Sequence, residues 1–114
     1  MSAPVIDAAT FEALKKTTGA EFVLELVDTF LQEAPVMLND LRNALAAQDA
    51  EKFRRAAHSL KSNANTFGAL SFAAMARGLE ISGLPTATAG KQSLEALQQE
   101  YVHVAAALTA LRHA

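Results

Sequence analysis

The 114-residue sequence contains no cysteine and no tryptophan. The absence of cysteine excludes disulfides, iron–sulfur clusters, thiol catalysis and cysteine-bound zinc. Any chemistry of this chain must therefore use histidine, carboxylate, amine, guanidinium or hydroxyl groups. With 10 Lys+Arg against 12 Asp+Glu the net charge is −2, which offers no electrostatic basis for binding nucleic acid or an anionic membrane.

The sequence also lacks a long apolar run. Its richest apolar stretch, residues 102–111, is interrupted by His103 and Thr109. That stretch is shorter than the roughly 18 residues expected of a membrane span. At the N-terminus, Asp7 and Glu12 lie where a secretory signal would need a basic start and an apolar segment. We therefore expect a cytoplasmic protein that does not contact membrane.

Helical periodicity runs through almost the whole chain. Apolar residues make up 51% of it and recur at intervals of three and four, without strand alternation. The pattern predicts a short helix over residues 10–16 and a long helix from residue 21, which Pro35 is expected to kink or divide. A third helix follows Asp49 and stops at Gly68, and a fourth ends before Gly83. The last helix follows a linker-like segment, residues 83–90, with Thr86 or Thr88 as its N-cap.

Each long helix is apolar along one stripe only, so the stripes must meet. The sequence therefore predicts an all-α fold, an antiparallel four-helix bundle with a short additional N-terminal helix. We expect one domain over residues 1–114. Because one bundle uses all the stripes, we also expect a monomer.

The helix after Asp49 exposes polar side chains that a packed core does not require. At about 100° per residue, His58 points about 150° away from the centre of the apolar stripe. An exposed imidazole is largely neutral and nucleophilic near pH 7, and Lys61, three residues on, can neutralise charge that arrives on the ring. We see no general base, metal site or nucleotide loop beside it, so the pattern suits a phosphoryl group on His58 but not autonomous catalysis. A solvated histidine near a lysine is also ordinary on a helix surface, and spacing alone leaves both interpretations open.

The segment from Ala57 to Ala69, AHSLKSNANTFGA, resembles the signature of histidine-containing phosphotransfer (HPt) domains. That signature is a histidine, a small residue, Leu, Lys, further small residues, and an apolar-Gly-Ala close. Downstream, Leu79-Glu80 and Gly83 resemble the Leu-Glu and Gly of the family. The lead-in helix is matched by Phe30, Leu41, Leu45 and Asp49. The resemblance extends over nearly the whole chain.

This resemblance implies a four-helix bundle with one phosphorylated histidine, here His58. The family carries phosphoryl groups between aspartates on receiver domains of response regulators and hybrid sensor kinases. By the same resemblance Lys61 would stabilise the phosphoimidazole and Gly68 would end the helix in a tight turn. The receiver would supply Mg²⁺, so we expect no cofactor in this chain. Ser62 stands where the family often has Gly, and Asn63 replaces a more usual Ser. Because serine is small, we expect docking to survive, and the effect on partner affinity or choice stays open.

Receiver docking is assigned to the exposed side chains around His58: Arg54, Arg55, Ser62 and Asn65. The two arginines would also steer acidic receivers towards the site. Apolar residues expected to flank this face are Phe22, Leu24 and Met37.

Alternative functions remain open. The chain could be the phosphoacceptor domain of a larger, chemotaxis-type histidine kinase, or a helical adaptor that binds receivers without being phosphorylated. The dimerising helix pair of a sensor kinase fits poorly, because Ser59 rather than an acidic residue follows the histidine and the next proline is Pro85. The remaining histidines, His103 and His113, are interpreted as a helix-flank residue and a terminal cation. Their spacing predicts no metal site.

Overall fold

The computed structural model describes residues 5–113 as five α-helices, with no strand in that range. They are α1 (Ala8–Thr18), α2 (Ala20–Ala47), α3 (Ala50–Thr66), α4 (Leu70–Ser82) and α5 (Ala87–Arg112). Helix α2 packs against α3 and α5, and α4 packs against the same two, so these four form a closed bundle with α1 against α2 and α3. This confirms the predicted fold class. Residues 1–4 and 114 of the predicted domain, including the N-terminal start considered for a signal, lie outside the described residues.

The core consists of the apolar stripes of the four long helices. Phe53, Leu60, Phe72 and Leu97 have no exposed surface, and no charged side chain of residues 5–113 is buried. Full burial of such side chains contributes about 1.5–3 kcal/mol each. Because Phe53 and Leu60 must both face inward, the rotation of α3 about its axis is determined, and with it the side chains that α3 presents to solvent.

Helix α2 runs unbroken through Pro35, so division of the helix, one of the two predicted outcomes, is wrong. Proline has no N–H, so the carbonyl of Leu31, four residues earlier, loses its usual helical partner. The hydroxyl of Tyr101 on α5 donates to that carbonyl at 3.4 Å. A side chain of the neighbouring helix therefore replaces the missing backbone donor.

The turn between α3 and α4 is built around Gly68, which has a φ of 81°. A Cβ at this position would lie 2.9 Å from both the Asp7 carbonyl oxygen and Thr10 Cβ. The Asp7 N–H donates to the Gly68 carbonyl at 2.8 Å, so the chain that enters α1 packs directly on this turn. The short turn lays α4 alongside α3, and this pairing creates the site described below.

Two helix boundaries differ from the sequence pattern. Helix α1 is longer than the predicted residues 10–16, because the Asp7 carboxylate caps it by accepting from the Thr10 N–H at 3.0 Å. Helix α5 starts inside the predicted linker, with Thr86 rather than Thr88 as N-cap, accepting from the Ala89 N–H at 3.3 Å. Within residues 5–113, no helix is both long and apolar enough to cross a membrane.

Candidate functional site

His58 lies in the middle of α3, with 54% of its side chain exposed. The buried residues of α3, among them Phe53, Ala57 and Leu60, occupy the opposite side of the helix. The outward direction predicted from the helical period is therefore the direction observed. A reaction partner can reach this imidazole from solvent.

A carboxylate of α4 contacts the inner side of the ring. Glu80 Oε2 is 2.6 Å from His58 Nδ1, and Glu80 Oε1 is 2.8 Å from Lys61 Nζ. An ionised carboxylate can only accept hydrogen bonds, so Nδ1 is the ring nitrogen that holds the proton. The lone pair of the neutral ring is then on Nε2. The contact therefore selects one tautomer and leaves Nε2 as the nucleophilic atom.

Lys61 keeps Glu80 in its ionised form. The hydrogen bond from Lys61 holds the pKa of the Glu80 carboxyl below its usual value of 4.5; partial burial opposes this shift, and the His58 hydrogen bond adds to it. The side chains of Glu80 and Lys61 are 16% and 23% exposed, whereas the imidazole they support is half exposed. Glu80 and Lys61 are therefore largely shielded from water, whereas the imidazole that Glu80 contacts is open to solvent.

The other predicted site residues take different positions around His58. Lys61, expected among the exposed polar side chains of this helix, is half-buried, and its ammonium group contacts Glu80 at 2.8 Å. Arg54 and Arg55 are exposed, and both donate to the Glu51 carboxylate, at 2.8 and 3.1 Å. The small polar side chains that follow the histidine on α3 lie open to solvent: Ser62 and Asn65. Beyond them the helix ends at the turn of Gly68.

The structure brings together only part of the expected apolar flank. Met37 is half-buried beside α3, with Sδ 3.9 Å from Asn63 Nδ2. Phe22 is exposed, but it lies towards the start of α2. The rings of Phe30 and Phe67 are in contact at 5.2 Å, which places that part of α2 beside the far end of α3. Phe22 is about 12 Å further along, away from the histidine, and Leu24 lies in the same region, half-buried.

Glu80 is the residue that the sequence argument missed. It is 22 residues from His58, and its carboxylate contacts the ring, whereas the sequence showed no general base beside the histidine. The only signal was the Leu79-Glu80 pair in the family resemblance. Helical spacing within α3 could not reveal it, because the contact depends on how α4 pairs with α3.

The remaining histidines do not join this site. His103 is exposed on α5, with Nδ1 3.4 Å from Glu100 Oε1, and His113 lies at the C-terminal end of that helix. Over the described range 5–113, no group of three or more His, Asp or Glu side chains is placed to hold a metal ion. The expectation of Mg²⁺ concerns a partner receiver and stays a prediction.

Known proteins match both the sequence and the structure. The family described as the Hpt domain matches residues 25–114. The crystal structure of histidine-containing phosphotransfer protein B (HptB) from Pseudomonas aeruginosa PAO1 superposes with a TM-score of 0.83, covering 98% of this chain and 97% of that one, at 29% identity. The sensor protein TorS of Escherichia coli (strain K12) is 35% identical over 63 residues, which are 55% of this chain and only 7% of TorS. These matches confirm the resemblance, and with it histidine phosphotransfer in two-component phosphorelays.

Proposed function

The chain belongs to the Hpt domain family, and from that premise we propose that His58 is its phosphoacceptor. It takes a phosphoryl group from the aspartate of one receiver domain and passes it to the aspartate of another. The observation that supports this assignment is the contact of 2.6 Å between Glu80 and Nδ1 of a half-exposed imidazole. That contact leaves Nε2 as the nucleophile on the open side.

In the transfer step one bond to phosphorus forms and another breaks. The Nε2 lone pair attacks phosphorus, the N–P bond forms, and the P–O bond to the receiver aspartate breaks, so that the aspartate leaves as a carboxylate. The ring now carries a positive charge, which the Glu80 carboxylate offsets while it keeps the proton on Nδ1. The same steps in reverse load the second receiver. Mg²⁺ held by the receiver would neutralise the phosphoryl oxygens, and this chain contributes a positioned nucleophile.

Lys61 has two possible partners in this scheme. In the unphosphorylated protein its ammonium group is 2.8 Å from Glu80. Its flexible side chain is one helical turn from His58, so it can turn to the phosphoryl group once that group is present. Before transfer, Lys61 therefore holds Glu80, which keeps the proton of His58 on Nδ1. After transfer, Lys61 stabilises the phosphohistidine.

The direct test follows label from a receiver to this chain. A panel of receiver domains is loaded with radioactive phosphate from a small phosphodonor and Mg²⁺, then mixed with wild type, His58→Gln and His103→Gln. His103→Gln is the matched control, because it removes another exposed histidine. We expect acid-labile, alkali-stable label on wild type and on His103→Gln only. Label on His58→Gln, or none on folded wild type from any receiver, would contradict the assignment.

A second candidate differs in the source of the phosphoryl group. The match to a small part of TorS supports a role as a phosphoacceptor domain within a larger sensor protein. The His58 chemistry would be the same, and the donor would then belong to the same chain. A non-phosphorylated adaptor would instead bind receivers equally well with and without His58→Gln, and neither protein would take up label.

Docking and assembly belong to the same proposal. We propose that the receiver contacts four residues that are exposed on α3: Arg54, Arg55, Ser62 and Asn65. We propose that the domain acts as a cytoplasmic monomer. Light scattering during gel filtration tests the monomer, since it should give the mass of one chain across the working concentration range.

A further inference from the structure

The most exposed large apolar side chain in residues 5–113 is Ile81, at 68%. It lies on α4 and directly follows Glu80, the residue that contacts the phosphoacceptor. Exposing an isoleucine to water has an unfavourable free energy of about 1.5–3 kcal/mol relative to burial. Another exposed apolar residue, Val102, is remote from the site, because it is on α5, which packs on α2 and α4 diagonally across the bundle from α3.

Arg77 lies beside Ile81 on the exposed side of α4. The two residues are four apart, so their side chains are neighbours on the helix surface. At about 100° per residue they lie about 60° and 100° from Glu80, on the same side of it. Whereas Arg54 and Arg55 are paired with Glu51, and Lys61 with Glu80, Arg77 makes no ion pair within the described range 5–113.

We propose that Arg77 and Ile81 form a docking edge for the receiver domain, next to the phosphotransfer site. The inference rests on the proposed function, because it takes the receiver to be the partner that reaches His58. The edge fits a partner surface that presents an apolar side chain beside an acidic one. It extends the docking surface from α3 onto α4, away from the residues singled out by the sequence.

The docking edge is close enough to His58 to fall within a protein–protein interface of ordinary size. A protein–protein interface of ordinary size covers about 800 Å² on each partner, the area of a disc of about 16 Å radius. The Glu80 carboxylate is 2.6 Å from the His58 ring, and Ile81 is the next residue, with its Cα about 3.8 Å from that of Glu80. An interface of this size centred on Nε2 therefore extends as far as this edge.

Charge complementarity supports the same occupant. The donor is an aspartyl phosphate, so the approaching surface is anionic at the point of transfer. An unpaired guanidinium at the rim attracts such a surface and speeds encounter, whereas arginines already paired with a carboxylate contribute less. The apolar neighbour supplies the burial that holds the complex once it has formed.

The test measures transfer kinetics from a phosphorylated receiver to Ile81→Ser and Arg77→Gln. Val102→Ser and Lys91→Gln are the matched controls, since both change exposed residues of α5 on the far side of the bundle. We expect Ile81→Ser to raise KM about tenfold, with the maximal rate unchanged because His58 and Glu80 are intact. Arg77→Gln should raise KM about threefold at low salt, an effect that fades at about 1 M salt. Neither control should change KM.

The outcomes separate the docking edge from the proposed function. If wild type accepts label at His58 but Ile81→Ser keeps the wild-type KM, the docking edge is refuted and the phosphoacceptor assignment stands. An equal rise in KM for Val102→Ser would also refute it, because the effect would not be specific to this face. If wild type accepts no label, the proposed function itself has failed.

Discussion

Replacing Tyr101 with phenylalanine tests the explanation for the continuity of α2. The Tyr101 hydroxyl donates to the Leu31 carbonyl that Pro35 leaves without a helical partner. A typical hydrogen bond of this kind contributes about 0.5–1.5 kcal/mol, and its length of 3.4 Å places it in the lower half of that range. Tyr101→Phe should therefore lower the free energy of unfolding by about 0.5–1 kcal/mol. The melting temperature should fall by about 2–5 °C.

The decisive comparison is a double-mutant cycle with Pro35→Ala. Alanine restores the N–H that bonds to the Leu31 carbonyl, so the Tyr101 hydroxyl becomes redundant. In that background Tyr101→Phe should cost no more than about 0.3 kcal/mol, which gives a coupling of roughly 0.5 kcal/mol. Pro35→Ala also changes the entropy of the unfolded chain. This change is the same whether residue 101 is tyrosine or phenylalanine, so it cancels from the coupling energy.

Urea unfolding followed by circular dichroism measures all four proteins of the cycle. Equal costs of Tyr101→Phe with Pro35 and with alanine would refute the reasoning. The long helix would then tolerate its proline for another reason. Unchanged m values across the set would show that the four proteins expose similar surface on unfolding.

Further predictions concern the turn and the site. Gly68→Ala should be less stable than Gly83→Ala by about 1–3 kcal/mol, and should therefore unfold at a lower temperature. Both glycines have positive φ, 81° and 76°, but only at Gly68 would a Cβ meet atoms at 2.9 Å, so equal melting temperatures would contradict this. Glu80→Gln should slow phosphoryl transfer about tenfold in rapid-quench assays, because the negative charge beside the ring is lost. Glu95→Gln on α5 is the control. Equal rates for the two variants would exclude a role for the Glu80 charge in transfer. The hydrogen bond from Lys61 lowers the pKa of Glu80 from its usual 4.5, so the folded state binds fewer protons there. Its contribution to stability is thus present above about pH 4.5 and is lost as the pH falls further, and Glu80→Gln should lose less stability in acid than wild type in urea titrations.

Much of the fold could be predicted from the sequence because helical periodicity is a local property. The apolar stripe of α3, with Phe53 and Leu60, determines which side of that helix is buried. The direction of His58 follows from the same 3.6-residue period. The cap Asp49 was also readable, and the cap of α5 was narrowed to Thr86 or Thr88, since a side chain that caps a helix bonds to an N–H only two or three residues away.

The amino-acid pattern was enough to predict that a bundle forms and that an exposed histidine lies on its third helix. The group that supports this histidine and the group that keeps α2 continuous were visible only once the helices were packed together. Glu80 meets His58 across 22 residues, and Tyr101 meets Leu31 across 70. Each contact joins a side chain of one helix to a group on another, a side chain in the first case and a backbone carbonyl in the second, so both depend on the rotation and relative height of two packed helices. A pattern along one helix contains no information about either, because packing of the complete core sets them.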